Sequence, residues 1–285
     1  MASAPRFAST VAIDWSGAKG KRHKGIAIAE ARGNDAPRLV RQGHVWSRRE
    51  VLDWMLERRG QEPILYGFDI SFAPPFLELG AYLPGEEGVP DDARSLWAYV
   101  DGNSDDEDLG AASFLEKAHR RHFYFGIADG VKADFVHFRR CDAALSAQGG
   151  RKTASAYDAI GAAQVAKASF SGMRLLHRLD GRIAIWPMDP LPASGSVAVE
   201  IHTRIFIRKA GLPGKKIRTA AELDMALEAL GSLPARLNHV PTDHETDALV
   251  SAAGMRAYMA EPLAFCPPGL TPEVARTEGW TFGVA

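Results

Sequence analysis

Val11-Ala-Ile-Asp-Trp-Ser-Gly17 and Tyr66-Gly-Phe-Asp-Ile70 are the two stretches of this chain that decide its fold. Each is a run of apolar and β-branched residues that reaches an aspartate at or near its end, Asp14 in the first stretch and Asp69 in the second. Such runs predict buried strands, and the interior of a buried strand has no structural use for a charge. We therefore expect strands whose ends carry functional carboxylates.

The segments between these stretches predict how the sheet is built. Residues 25–30 are expected to return from the first strand as a hairpin, and residues 38–45 to add a third strand. A capping box then predicts a helix over residues 47–60. A right-handed crossover would lay residues 64–70 parallel to the first strand, so that the two aspartates meet.

The remaining sequence is expected to complete a single α/β domain over residues 1–285. Residues 71–182 are rich in loop signals and predict an insertion or cap, largely helical, after the fourth strand. The pattern indicates helices at 111–121, 155–179, 220–230 and 243–259, and further strand character at 183–186 and 197–201.

The composition is that of an ordinary globular protein. The chain has 285 residues, of which 46% are hydrophobic and 24% charged, enough for a substantial core. A formal net charge of −1 excludes a global positive field, so contact with a polyanion must be local. Cys141 and Cys266 are interpreted as buried thiols, which favours a reducing compartment and the cytoplasm. No apolar run reaches about 18 residues, so no membrane partner is expected.

The acidic residues together predict a metal centre. Glu200 ends a strand-like run, while Asp243 and Asp247 share one face of a helix that begins at a capping box. We expect Asp14, Asp69, Glu200 and Asp247 to be catalytic and, with Asp243, to bind Mg²⁺ or Mn²⁺, which prefer oxygen ligands. Two ions about 4 Å apart would suit in-line phosphoryl displacement.

Each of these residues also has a structural interpretation. Asp14 could cap the turn that follows its strand. Glu200 could face solvent from a half-buried strand, and Asp243 could only complement the dipole of its helix. These alternatives stay open at the level of sequence.

The motifs resemble those of the predicted RNase H-like nucleases grouped as domain of unknown function 429. The family features are a strand ending in Asp before a Gly-containing turn, an Asp-Ile strand end before a Pro-containing loop, a Glu-x-His or Glu-x-Tyr motif followed by Pro, an Asp-x-x-x-Asp-Ala-Leu helix and a closing segment that Glu-Gly-Trp-Thr-Phe-Gly fits. In this chain they are Asp14 to Gly17, Asp69 to Pro74, Glu200 to His202, Asp243 to Leu249 and Glu278 to Gly283. The resemblance implies a ribonuclease H-like mixed five-stranded sheet flanked by helices, and divalent-metal nuclease chemistry. Thr203 stands where the family usually has proline, a departure that we expect to matter little for the chemistry.

Two residues are predicted to contact substrate. Lys152 follows a Gly-rich lead at an expected helix start, where a cation and backbone donors could bind phosphate. His202 is two residues beyond Glu200, so on a continuous strand it would share the face of Glu200. His202 could donate a hydrogen bond to a metal-binding carboxylate or shuttle protons. For both Lys152 and His202, the alternative is a purely structural role.

Three functions compete at this stage. The first is a metal-dependent nuclease that makes local contact with nucleic acid or a small phosphodiester. The second is an ATP-dependent phosphotransferase of the actin-like or sugar-kinase type, suggested by the Gly-containing turn after Asp14 but lacking a second Gly-rich phosphate hairpin. The third is a non-catalytic binding module with an RNase H-like fold. The pattern does not predict the oligomeric state.

Overall fold

The computed structural model describes residues 6–149, 154–160, 165–212, 214 and 216–285, and within them six strands form one mixed sheet. The strands are β1 (Ser9–Asp14), β2 (Ala27–Ala31), β3 (Arg38–Leu39), β4 (Ile64–Phe68), β5 (Ala184–Ile185) and β6 (Val197–Glu200). Their order across the sheet is β3-β2-β1-β4-β6-β5. The expected α/β class is confirmed, with one strand more than the five that the resemblance implies, because the short β5, within the strand predicted at 183–186, pairs with β6 at the edge.

Helices flank the sheet on both faces. In the described residues they are α1 (Arg48–Glu57), α2 (Ala93–Gly102), α3 (Arg140–Ala147), α4 (Val165–Leu179), α5 (Thr203–Lys209), α6 (Ala220–Ala229), α7 (Asp243–Met259) and α8 (Pro272–Thr277). The capping boxes predicted for α1 and α7 both form, with Ser47 and Thr242 as the N-cap residues. These two helices therefore begin where their local sequence dictates.

The strand pairing places the aspartates. β1 is antiparallel to β2 and, as predicted, parallel to β4. Ile13 lies opposite Phe68, and the N–H of Asp69 donates to the Ile13 carbonyl at 3.1 Å. Asp14 and Asp69 therefore follow directly from one paired position and lie side by side at the end of the sheet.

Each face of the sheet has its own hydrophobic core. Val11, Ile13 and Phe68 face the layer that contains α1 and α4, whereas alternate residues such as Ala12 and Val199 face α5 and α7. This division follows from the two-residue period of a strand. Because α4 belongs to the segment 71–182, that segment supplies part of the layer that covers the sheet.

Three local predictions differ from the structure. The third strand has two residues instead of eight, because Arg41 and Gly43 adopt positive φ and turn the chain away. The helix expected at 111–121 includes a π-helical turn, Phe114–Ala118, and a 3₁₀ turn, Arg120–His122. Residues 155–160 are not helical, since Ala159 donates its N–H to the carbonyl of Tyr124.

The two cysteines also differ from one another. Cys141 is buried as expected, whereas Cys266 is exposed. The interpretation of both residues as buried thiols was therefore wrong for Cys266, which follows an exposed turn after α7.

Glycines allow α7 to pack closely on its neighbours. A Cβ atom at Gly67 of β4 would lie 2.5 Å from Sδ of Met255, and one at Gly254 of α7 would lie 2.4 Å from Cβ of Phe206 in α5. Contacts of this length are not tolerated by real Cβ atoms, so the missing side chains set how closely α7 approaches the sheet and α5.

Gly254→Ala is expected to lower the free energy of unfolding by about 1 to 3 kcal/mol, because the added methyl group would overlap Phe206 in a closely packed core. Urea denaturation measures the change. Gly102→Ala is the matched control: no described atom lies within 4 Å of a Cβ there, so stability should stay within about 0.5 kcal/mol or rise. Equal stability of the Gly254→Ala protein and the wild type would contradict the packing.

Candidate active site

Asp14 and Asp69 contribute the first two carboxylates of the site, from the ends of the neighbouring parallel strands β1 and β4. Asp14 is the last residue of β1, and Asp69 follows the last residue of β4. Their side chains are 13% and 24% exposed. They lie two residues beyond Ala12 and Gly67, which face α7, so both carboxylates are directed to the α7 side of the sheet.

Asp247 brings a third carboxylate from α7. Burial, followed by the negative charges of Asp14 and Asp69, raises the pKa of Asp247 to about 7. Burial and the charge of Asp69 likewise raise the pKa of Asp14 to about 6, against the opposing hydrogen bond from His244. Like charges perturb one another in this way only at short range. Asp243 also raises both pKa values but contributes less than the other aspartates, so we name Asp14, Asp69 and Asp247 the aspartate cluster.

His244 belongs to the same site, and the sequence interpretation missed it. Its Nδ1 lies 2.5 Å from Oδ2 of Asp14, and its side chain is 49% exposed. The hydrogen bond with Asp14 raises the pKa of His244. The available signal was its position beside Asp243 in the first turn of α7, a turn in which only the capping box and Asp243 were considered.

Asp243 occupies a different environment from the cluster. It is exposed at the start of α7, and its Oδ2 accepts a hydrogen bond from Nζ of Lys216 at 2.6 Å. That hydrogen bond lowers the pKa of Asp243. The contact and the helix-start position favour the interpretation of Asp243 as a surface charge over its role as a metal ligand.

Glu200 is not brought to the aspartate cluster. It lies opposite Phe68 in the β4–β6 pairing, one residue before Asp69, and therefore on the opposite face of the sheet. Adjacent strand residues point to opposite faces, so this one-residue offset separates Glu200 from Asp69. The prediction that Glu200 binds metal beside Asp14 is wrong in this geometry, and so is the alternative that it faces solvent, because it is only 2% exposed.

The carboxylate of Glu200 is instead part of a buried ion pair. Both terminal nitrogens of Arg139 donate to it at 2.6 Å, the backbone N–H of Phe72 donates at 2.7 Å, and the hydroxyl of Thr281 donates at 2.5 Å. Arg139 is the N-cap residue of α3 and is 3% exposed. Glu200 therefore joins the segment after β4, the start of α3 and the C-terminal region to the sheet.

His202 lies beside Asp69, although not for the reason expected. β6 ends at Glu200, and His202 is the N-cap residue of α5, so strand alternation no longer applies to it. Its Nδ1 is 3.7 Å from Oδ1 of Asp69. The next residue, Thr203, donates a hydrogen bond to Oδ2 of Asp69 at 2.9 Å. Thr203 therefore contacts a candidate site residue, a contact that the sequence interpretation did not include.

The other predicted substrate contact, Lys152, lies outside the described residues. The turn after Asp14 is described, and it is held from two sides. A Cβ atom at Gly17 would lie 2.3 Å from the backbone N of Ala168 in α4. The buried side chain of Arg48 donates to the carbonyls of Ser16 and Ala18 at 2.7 Å each. Gly17 is thus required by close packing on α4.

The donors of the aspartate cluster suit a hard divalent cation. Three carboxylates from three elements are oxygen ligands of the kind that Mg²⁺ and Mn²⁺ bind. In the arrangement seen here Asp14 bonds to His244, and no group of three or more His, Cys, Asp or Glu residues in the described part of the chain is placed so that it could hold an ion. The chemistry of these side chains fits a metal, although their present arrangement does not, and Asp14, Asp69 and Asp247 are the residues that would hold it.

Comparisons with known proteins add no relative: no family model matches the chain, and neither a curated protein nor a solved structure is significantly similar to it. None of the helices within the described ranges has the length and apolar character needed to cross a membrane.

Arg139→Met is expected to lower the free energy of unfolding by about 3 to 5 kcal/mol, because it leaves the buried carboxylate of Glu200 without its cation. Chemical denaturation measures the loss. Arg276→Met serves as control, since Arg276 pairs with Asp91 at the surface and its removal should cost less than about 1 kcal/mol. Similar small losses for both variants would show that the buried ion pair is not formed.

Asp247→Asn is expected to change how stability depends on pH. A carboxyl group whose folded pKa is raised from 3.8 to about 7 binds its proton more tightly in the folded chain. Its stabilising contribution is therefore present below about pH 4 and is lost as pH rises to 7. From pH 4.5 to pH 8, the free energy of unfolding of the variant should rise by about 1 to 3 kcal/mol relative to that of the wild type. This is less than the whole pKa shift would give, because the carboxyl group is partly exposed.

Denaturation in metal-free buffer at the two pH values measures this gain. Asp243→Asn is the matched control: the pKa of Asp243 is lowered from 3.8, so its stabilising contribution is already complete at pH 4.5, and this variant should follow the wild-type curve between the two pH values. Parallel stability curves for Asp247→Asn and wild type would exclude the raised pKa of Asp247.

Proposed function

We propose that this chain is a divalent-metal-dependent phosphodiesterase with a ribonuclease H-like fold, acting on nucleic acid or on a small phosphodiester. The observation that carries the proposal is the aspartate cluster, in which β1, β4 and α7 each contribute one carboxylate at the same end of the sheet. Carboxylates that repel one another and lie partly buried destabilise a fold unless a cation or a function compensates for them.

The sheet supports the ribonuclease H-like part of the proposal. Three successive antiparallel strands, a helix and a fourth strand parallel to the first follow the order that the sequence predicts, and this order is compatible with such a fold. β6 continues this arrangement beside β4. Since one fold hosts many functions, the chemical part of the proposal rests on the site alone.

The metal would be Mg²⁺ or Mn²⁺, held by Asp14, Asp69 and Asp247. When bound, it would activate water and stabilise the charge on the leaving oxygen. Glu200 has no part in this set, because its carboxylate is committed to Arg139. Asp243 remains at the rim, paired with Lys216.

His244 is the residue of this chain suited to proton transfer at the site. It is half-exposed, so its ring can exchange protons with solvent, and its Nδ1 bonds to Asp14. Histidine is the side chain that titrates most readily near neutral pH. We propose that His244 takes up or releases a proton while it holds Asp14 in place.

The charge distribution favours a locally bound substrate. A net charge of −1 provides no broad basic face for a long duplex. Lys216 is exposed beside Asp243, and its charge acts on Asp247. A phosphate group at the cluster would therefore meet at least one cation.

The phosphotransferase alternative is weakened by the turn after Asp14. Gly17, its most suggestive glycine, is already required by the close approach of α4. A phosphate-binding role is therefore not needed to account for this glycine.

Cleavage assays test the proposal. With Mn²⁺ present, wild-type protein should cleave at least one of labelled single-stranded DNA, duplex DNA, RNA, an RNA–DNA hybrid, a branched junction and bis(p-nitrophenyl) phosphate. Asp14→Asn and Asp247→Asn should each reduce the rate by about 10³-fold, because each removes several kcal/mol of charge stabilisation. Asp243→Asn is the matched control on α7 and should retain activity within about threefold.

Two results would overturn this function. One is metal-dependent cleavage that survives Asp14→Asn unchanged. The other is the absence of cleavage of every substrate together with an ATP-dependent rise in the thermal midpoint, which would favour the phosphotransferase.

A further inference from the structure

Two buried hydroxyl groups, those of Thr203 and Ser251, are hydrogen-bonded to each other next to Asp69. Oγ1 of Thr203 is 2.9 Å from Oδ2 of Asp69 and 2.9 Å from Oγ of Ser251. Thr203 is 5% exposed and Ser251 is 1% exposed. The contact therefore joins three elements: the residue after β4, the first residue of α5 and the middle of α7.

The direction of these hydrogen bonds follows from counting protons. An ionised carboxylate only accepts hydrogen bonds, so the single hydroxyl proton of Thr203 is donated to Asp69. The oxygen of Thr203 is then available as an acceptor for the hydroxyl proton of Ser251. The result is a directed chain from Ser251 through Thr203 to Asp69.

Ser251 lies four residues after Asp247, one turn along the same face of α7. The hydroxyl chain therefore couples Asp69 to the helix that carries Asp247. It also engages Oδ2 of Asp69, whereas Oδ1 is 3.7 Å from Nδ1 of His202.

We propose that Thr203 and Ser251 are positioning residues that orient the Asp69 carboxylate for a divalent cation and hold it in register with Asp247. The inference rests on the proposed function. Groups that orient a metal ligand from behind contribute about 10- to 100-fold to metal affinity, because a ligand that is free to rotate loses freedom when it binds.

Isothermal titration of the purified protein with Mn²⁺ at pH 8 tests this role. Thr203→Val keeps the shape of the side chain and removes the donor, so the Kd should rise by about 10- to 100-fold. Thr203→Ser restores the donor and should bind within about threefold of wild type. Ser251→Ala removes only the outer hydroxyl and should weaken binding less, by about three- to tenfold.

Thr246→Val is the matched control, because Thr246 is also a buried hydroxyl residue on α7 but donates to the backbone carbonyl of Asp243. It should leave the Kd for Mn²⁺ unchanged. Thermal midpoints recorded for every variant separate a loss of affinity from a loss of fold. If Thr203→Val does not fold, Ser251→Ala and Thr203→Ser carry the test.

Non-additivity gives a second criterion. In an Asp69→Asn background, Thr203→Val should weaken Mn²⁺ binding no further, since the carboxylate that Thr203 orients is gone. At saturating Mn²⁺ the cleavage rate of Thr203→Val should recover, whereas a structural defect would lower it at all concentrations.

The outcomes distinguish the two proposals. If wild-type protein binds Mn²⁺ and Thr203→Val binds it equally well, the positioning role is overturned and the proposed function stands. The positioning role is also overturned if Thr203→Val weakens Mn²⁺ binding by the same factor in the Asp69→Asn protein as in the wild type. If wild-type protein does not bind Mn²⁺ at all, both proposals fail together.

Discussion

The parallel pairing of β1 with β4 is the constraint on which the candidate site depends. It sets Ile13 opposite Phe68, so that Asp14 and Asp69 leave the sheet side by side. Both faces of the central strands are buried, and a shift of one residue would drive large side chains such as Phe68 into the face where Ala12 and Gly67 leave no room. The hydrophobic core thus fixes the register, and the register places the carboxylates.

The same core makes the aspartate cluster energetically unfavourable without a ligand. Burial and mutual repulsion raise the pKa of Asp14 to about 6 and that of Asp247 to about 7. The fold holds these groups in place because α7 is fixed independently, by its capping box and by close contacts at Gly67 and Gly254. Local strain of this kind is typical of functional sites.

Glu200 shows how the two faces of one sheet divide the acidic residues. On the face of α5 and α7, the charges of Asp14 and Asp69 act on the carboxyl group of Asp247. On the other face, Glu200 is neutralised by Arg139 and ties α3 and the C-terminal region to β6. Glu200 and the aspartates occupy similar positions at strand ends. What separates the structural role of Glu200 from the candidate catalytic role of the aspartates is the buried cation, Arg139, that pairs with Glu200.

The sequence by itself determined the strands that end at Asp14 and Asp69, their parallel pairing, and the start of α7, because apolar runs and capping boxes are encoded locally. Tertiary structure alone decided the rest. The face of Glu200 depended on a one-residue offset between β4 and β6. The contacts of His244 with Asp14 and of Thr203 with Asp69 join residues 230 and 134 positions apart. Such contacts leave no periodic pattern in the chain, since they form only when separate elements pack together.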